Sequence, residues 1–155
     1  MATPIIQYLL KKVFSLLIDY YILDDIVEIY VCSISDPSSF YVQKVGPTSV
    51  ALDKLGQDMT AFYEQNGPSM KLGKFDKGSI VAAKNSMDGS WYRAKVANIT
   101  IDDYDDSIVD VEVDFVDFGD FERKSPEDLC QIKPEFLQLK FQAIPSSMAD
   151  IKPVK

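Results

Sequence analysis

Apolar positions between Pro4 and Leu23 recur at helical spacing, with Ile6, Leu9, Leu10, Val13, Phe14, Leu16, Leu17 and Tyr20 on successive turns. The pattern predicts an amphipathic N-terminal helix within residues 1–24. Lys11, Lys12 and Asp19 interrupt it, leaving less than the ~20 uninterrupted apolar residues that span a bilayer. The lysines lie mid-segment, whereas a secretory leader carries its basic residues ahead of the apolar core. Residues 4–23 therefore read as a helix packed on the domain or running on from a longer parent; the sharper alternative is docking or self-association.

From Asp25 the period changes to two. Ile26–Ser35 alternates β-branched and polar residues, Asp36-Pro37-Ser38-Ser39 supplies turn chemistry, and Phe40–Val45 resumes the alternation. A second helix is predicted over residues 49–64, with Leu52, Leu55, Met59, Phe62 and Tyr63 on one face and Asn66-Gly67-Pro68 as its stop. After a polar connection, Ile80–Lys84, Trp91–Ile99, Ile108–Val116 and Asp120–Lys124 read as short strands. Asp88-Gly89 suits a two-residue hairpin turn, and Phe118-Gly119-Asp120 marks another tight turn. Ser125–Leu129 and Pro134–Leu139 look like helical turns, and Phe141–Ile151 a closing strand with a tail. So many short strands with little room for helices predict a mostly β chain containing a small barrel.

At 155 residues, 46% of them apolar, the chain is long enough to bury a sizeable core. A formal net charge of -8 opposes binding of a nucleic-acid backbone, which is held by Lys and Arg on phosphates, so a cationic partner is expected. The sequence contains no histidine, which removes the commonest general base and metal ligand. There is no phosphate-cradling glycine loop and no nucleophile beside a base. We expect no catalysis, no metal and no cofactor. Cys32 and Cys130 are the two thiols and read as small buried hydrophobes, although sequence leaves a disulfide between them open.

Trp91-Tyr92-Arg93-Ala94 and Phe115-Val116-Asp117-Phe118-Gly119-Asp120 carry a family resemblance, extended by Ile29-Tyr30-Val31, Phe40-Tyr41-Val42-Gln43, Leu52–Leu55 with Met59 and Tyr63, Val81-Ala82-Ala83 and Phe141–Ile144. The chain resembles the extended Tudor family, and among its members the Tudor-KH and partner-of-Piwi type. The resemblance implies a Tudor barrel joined by a helix to a staphylococcal-nuclease-like barrel of OB type that lacks catalytic machinery. It assigns residues 25–155 to one extended Tudor domain: nuclease-like lobe 26–48 and 125–151, linking helix 49–64, Tudor core 78–124.

By composition alone Tyr92, Phe115 and Phe118 serve as well for barrel core, and Trp91, on the opposite face from Tyr92, reads as core. The resemblance instead maps an arginine cage onto Tyr92, Phe115, Phe118 and Asp120. Strand alternation is expected to aim Phe115 and Asp117 the same way, with the Gly119 turn bringing Phe118 round to Phe115. Aromatic faces attract a weakly hydrated guanidinium, and the Asp120 carboxylate can accept its hydrogen bonds. The family carries a further aromatic ahead of the Asp-Gly turn; here Asn85 takes that place, which leaves one wall polar and implies tolerance of unmethylated arginine.

What the resemblance implies functionally is recognition of arginine, symmetrically dimethylated or not, in Arg-Gly or Ala-Arg motifs of Piwi-clade Argonaute N-terminal tails. The setting it implies is piRNA-guided transposon silencing in cytoplasmic, perinuclear germ granules (nuage). The acidic run from Asp102 to Asp120 is expected to steer such basic tails, or else its first part, Asp102–Asp106, is simply a solvated loop. Two other classes stand beside this: an RNA-binding module using Lys44, Lys71, Lys74 and Lys77, and an oligomerising scaffold using residues 4–23.

Overall fold

The computed structural model describes residues 27–148. The helix expected within residues 1–24, its proposed self-association and the end of the closing strand beyond residue 148 lie outside the described residues. The described chain runs β1 (Ile29–Asp36), β2 (Ser39–Lys44), α1 (Pro47–Asn66), β3 (Ile80–Lys84), β4 (Trp91–Ile101), β5 (Ile108–Phe115), β6 (Phe121–Lys124), β7 (Leu129–Gln131) and β8 (Ile144–Ser146). Single 3-10 turns occur at Gly67–Ser69, Pro126–Asp128 and Pro134–Leu137. The chain is mostly β, with two sheets joined by one helix.

One sheet has the order β1-β2-β8 and the other β6-β5-β4-β3-β7, with every pairing antiparallel. The first is built from the flanks of the chain, so the second is inserted into it. Leu129–Gln131 has no strand pattern of its own, yet it adds to the edge of β3 and completes the five-stranded sheet, although it belongs by sequence to the flank. Three residues are too few to show a period, and only the open edge of β3 makes them a strand. The expected closing strand shrinks to Ile144–Ser146 because β2 offers it only Phe40, Tyr41 and Val42 as partners.

Alternation along β4 divides two cores. Tyr92, Ala94 and Val96 enter a cluster with Val81, Ala83, Val111, Val113, Phe115 and Leu129 inside the five-stranded sheet. Trp91 lies on the other face with Met59, Tyr63, Ala82, Cys130 and Phe136. It stacks on Tyr63 at 5.1 Å, and its indole N–H donates to Glu64 at 3.0 Å, as its assignment to the core requires. The helix reaches two residues further than expected at each end. Pro47 suits the first turn, where no amide partner is lost, and the Ser49 hydroxyl accepts from the Gly46 N–H at 3.1 Å. Cys32 and Cys130 are free thiols, and burial pushes the Cys32 thiol up to about 11.

Arg93, on the same face as Trp91, is inserted between the sheets. Its Nε donates to Asp117 Oδ2 at 2.9 Å and its Nη2 to Oδ1 at 2.6 Å, and both side chains are almost completely buried. The remaining guanidinium donors reach the carbonyls of Phe136, Leu139 and Lys140. The Gln142 N–H adds a bond to Asp117 Oδ1 at 3.0 Å, and Gln43 Nε2 donates to the Asp117 carbonyl. One bidentate pair thus joins β4, the turn after β5, the flank at 136–142 and β2.

Candidate functional site: an aromatic and carboxylate pocket where the sheets meet

The site forms where β5 turns into β6. The strand stops at Phe115, and the N–H groups of Phe118 and Gly119 both donate back to its carbonyl, at 3.1 and 2.8 Å. Gly119 takes φ +83°, and a Cβ there would lie 2.1 Å from the Tyr41 ring. Only glycine satisfies both the positive φ and that approach. Because the turn begins immediately after Phe115, strand alternation does not reach Asp117. Phe115 enters the inner core and Asp117 goes to Arg93 on the opposite face, so the expectation that both point the same way is corrected.

The turn brings Phe118 against Tyr92, with centroids 4.8 Å apart at 64°. Phe115 meets the Tyr92 ring edge-on at 6.2 Å. Tyr92 and Phe118 are half-buried, whereas Phe115 is 0% exposed. Phe115 is therefore the ring beneath the pocket, packed into the core, and the accessible aromatic walls are Tyr92 and Phe118. Helix α1 backs the first wall: a Cβ on Gly56 would come within 3.3 Å of Tyr92 Cε1.

Asp120 carries the electrostatics. Its Oδ1 is buried with no hydrogen-bond partner, the one such side-chain atom found among the described residues. Burial pushes the carboxyl above its ordinary value, and the neighbouring Glu122 and Asp88 push it further. Tyr92 is also raised, by burial first and by its bond to Asp88 next. An unpaired buried carboxylate oxygen is costly, so this one marks a place where an external donor would be favoured.

Asn85 does not line the pocket as a ring would. It is buried at the start of the β3–β4 loop, where its side-chain carbonyl accepts from the Met87 N–H at 2.8 Å and its backbone bonds Ser90 and Gly89. The loop is consequently not a two-residue turn: residues 86–89 lie between the Asn85–Ser90 pair, and only Gly89 has positive φ, at +72°. Asp88 in this loop accepts from the Tyr92 hydroxyl at 2.7 Å. The loop is anchored to β6 by Ser86 and Glu122, whose carboxylate accepts from the Ser86 hydroxyl at 2.8 Å. The sequence places Asp88 only in a turn; a carboxylate four residues ahead of Tyr92 is the available clue to its contact.

The Asp102–Asp106 run lies elsewhere. It forms the β4–β5 loop, seven residues along β4 from the Ala94–Phe115 pair, or ~23 Å at the usual rise per residue. Asp102 and Asp105 accept from the N–H groups of Tyr104 and Ser107, and Tyr104 is fully exposed. At more than two Debye lengths, roughly 8 Å each in physiological salt, it gives the pocket little field. The solvated-loop reading holds, and the carboxylates near the pocket are Asp88, Asp120 and Glu122. Among the described residues no His, Cys, Asp and Glu group is arranged to hold a metal ion, and no helix is long and apolar enough to cross a membrane.

The Tudor domain family model matches residues 22–150. The chain belongs to the Tudor family. It is 38% identical over 128 residues to a Tudor and KH domain-containing protein homolog of Drosophila melanogaster, covering 81% of this chain and 22% of that protein. The mouse Tudor and KH domain-containing protein is 39% identical, with 84% and 22% covered. The chain thus spans about a fifth of the length of these relatives. Among solved structures, a Drosophila Papi extended Tudor domain variant bound to a Piwi N-terminal peptide with a dimethylated arginine superposes with a TM-score of 0.76 at 36% identity, covering 81% of this chain and 61% of that one. The BmPAPI extended Tudor domain with symmetric dimethylarginine gives 0.76 at 37%, with 82% and 61% covered. The first of these neighbours holds a Piwi N-terminal peptide and the second symmetric dimethylarginine.

Proposed function

We propose that this chain takes an arginine side chain from a partner's flexible tail into the pocket of Tyr92, Phe118 and Asp120, above the buried ring of Phe115. The observation that carries the reading is Asp120 Oδ1, which is buried without a donor beside two half-buried rings meeting at 4.8 Å. A guanidinium supplies both the missing N–H donor and a flat cation for the ring faces. A lysine ammonium, more strongly hydrated and without a planar fork, fits this arrangement less well.

The partner fitting this reading is the arginine-containing N-terminal tail of a Piwi-clade Argonaute, in piRNA-guided transposon silencing at cytoplasmic perinuclear germ granules. In support, similar extended Tudor domains have been solved with Piwi N-terminal peptides and with a dimethylarginine peptide of MILI. With Asn85 turned into its own loop, the pocket lacks a ring on that side, so unmethylated arginine is accepted as well as the dimethylated form. A Papi domain likewise appears in complex with an unmethylated Piwi peptide.

Calorimetric titration with one Arg-Gly peptide in unmodified, symmetrically dimethylated and Arg-to-Lys forms tests the proposal. Both arginine forms are expected to bind near the micromolar range, ~8 kcal/mol, and Phe118→Ala to abolish binding. Equal binding of the lysine form, or full affinity in Phe118→Ala, would remove the arginine-pocket reading. The RNA alternative is disfavoured by the net charge and by Lys71, whose ammonium is already engaged with the Glu127 carbonyl.

A further inference from the structure

The three-stranded sheet reaches the pocket through β1. Val31 faces Val42 and Ser33 faces Tyr41, which leaves Cys32 between them as the extra residue of a β-bulge. A bulge sets two residues of one strand against one of its partner and re-aims a side chain out of the strand alternation. Val31 packs with Phe40 and Val42. Cys32 belongs to none of the three apolar clusters found among the described residues, and its thiol donates to the Tyr41 carbonyl at 3.4 Å.

Tyr41 links that thiol to the pocket. Its ring and Cβ lie so close to Gly119 that no side chain fits there, and Asp120 follows directly in the chain. Cys32 and Asp120 also act on each other: burial raises the thiol first, and the charge of Asp120 raises it further. The thiol does not satisfy that carboxylate. Its hydrogen goes to the Tyr41 carbonyl, while Asp120 Oδ1 is left without a donor.

We propose that Cys32 is a further wall of the arginine pocket, supplied by the three-stranded sheet, and that its sulfur touches the guanidinium held by Asp120. The assignment rests on the arginine pocket and adds to it a contact from the other sheet. A thiol that keeps its proton is small, uncharged and polarisable. It gives a weakly hydrated cation a soft surface and leaves the carboxylate free to accept the cation's hydrogen bonds. Sulfur then closes the side of the pocket towards β1, as the rings of Tyr92 and Phe118 close the others.

Labelling of the native chain with N-ethylmaleimide, mapped by mass spectrometry, tests the contact. Cys32 is the accessible thiol, since Cys130 is fully buried. With the dimethylated Arg-Gly peptide at about ten times its Kd, labelling of Cys32 is expected to slow ~10-fold. The same peptide with alanine in place of the arginine is expected to leave the rate unchanged. A control chain, Cys32→Ser with Ser35→Cys, carries its thiol at an exposed position further along β1. Saturated likewise, it is expected to react as fast with the peptide as without. The Cys32 adduct of the native chain is expected to bind the arginine peptide ~10-fold more weakly or worse, with its circular dichroism unaltered.

An unchanged Cys32 rate beside a peptide that calorimetry shows to be bound would overturn the contact and leave the arginine pocket standing. Full affinity in the adduct would do the same. Equal slowing in the Ser35→Cys control would also overturn it, as a tightening of the whole strand. Absence of calorimetric binding by either arginine form would remove the pocket itself, and the Cys32 wall with it.

Discussion

The Tyr92 hydroxyl donates to the Asp88 carboxylate at 2.7 Å. A wall of the proposed arginine pocket is therefore held by the loop that leads into its own strand. That loop is in turn fastened to β6, next to Asp120, through Ser86 and Glu122. The polar loop thereby fixes the orientation of the Tyr92 ring.

Asp88→Ala releases that hold. Removing one exposed hydrogen bond is expected to cost ~1 kcal/mol or less of stability. Tyr92, no longer beside a carboxylate, is expected to ionise at lower pH, which absorbance titration reads directly. Calorimetry is expected to show weaker binding of an arginine peptide as the ring gains freedom; unchanged affinity would show that the loop does not order the pocket.

Asp120 makes stability and binding depend on pH with opposite signs. Burial holds its carboxyl above the ordinary 3.8, so between that value and the raised one the folded chain keeps a proton that the unfolded chain has lost. Its contribution to stability is greatest below this window and falls as pH rises through it. Asp120→Asn is expected to show a flatter urea midpoint against pH and a higher one near neutrality. A bound guanidinium favours the carboxylate, so peptide affinity is expected to rise with pH across the same window in the native chain and to be flat and weaker in the variant. An affinity that falls with rising pH would show that Asp120 does not meet the cation.

The two phenylalanines of the motif are expected to separate stability from binding. Phe115→Ala empties a fully buried position and should cost about 3–5 kcal/mol of unfolding free energy. Phe118→Ala, at a half-buried turn position, should cost much less and still abolish arginine binding. Denaturant midpoints and titration on both variants check this, and similar stability losses in the two would contradict it.

Asp117→Ala leaves the Arg93 guanidinium buried without its counter-ion, a loss of roughly 3–5 kcal/mol. Because the pair joins both sheets, differential exchange is expected to rise at 136–142 and along β2 together. Exchange confined to the β5–β6 turn would mean that the pair holds only its own neighbourhood.

Gly56→Ala sets helix propensity against the pocket. Alanine favours the helix by ~1 kcal/mol, but its Cβ would press on Tyr92 Cε1 at 3.3 Å. The melting temperature is expected to hold or rise while arginine affinity drops by roughly 1 kcal/mol, about fivefold. An unaltered affinity would show that Tyr92 yields freely.

Local order determined much of this protein in its sequence alone. The period-two runs at 80–84, 91–99 and 108–116, the apolar face of the helix expected over 49–64, and the Gly119 turn follow from backbone sterics and from which side chains avoid water, and these act over a few residues. The family pattern also named Tyr92, Phe115, Phe118 and Asp120 together.

Tertiary structure decided what each of those residues does. Leu129–Gln131 is a strand only because β3 has an open edge, and Asp117 turns away from Phe115 only because Arg93 waits on the other face. Phe115 lies beneath the pocket rather than in its wall because Val113, Ala94 and Leu129 enclose it. The pairing of Tyr92 with Asp88, the approach of Tyr41 to Gly119 and the lone oxygen of Asp120 likewise depend on partners brought from other elements. Burial and hydrogen bonding are properties of neighbours in space, and residues distant in the chain become such neighbours only once the two sheets have closed on the helix.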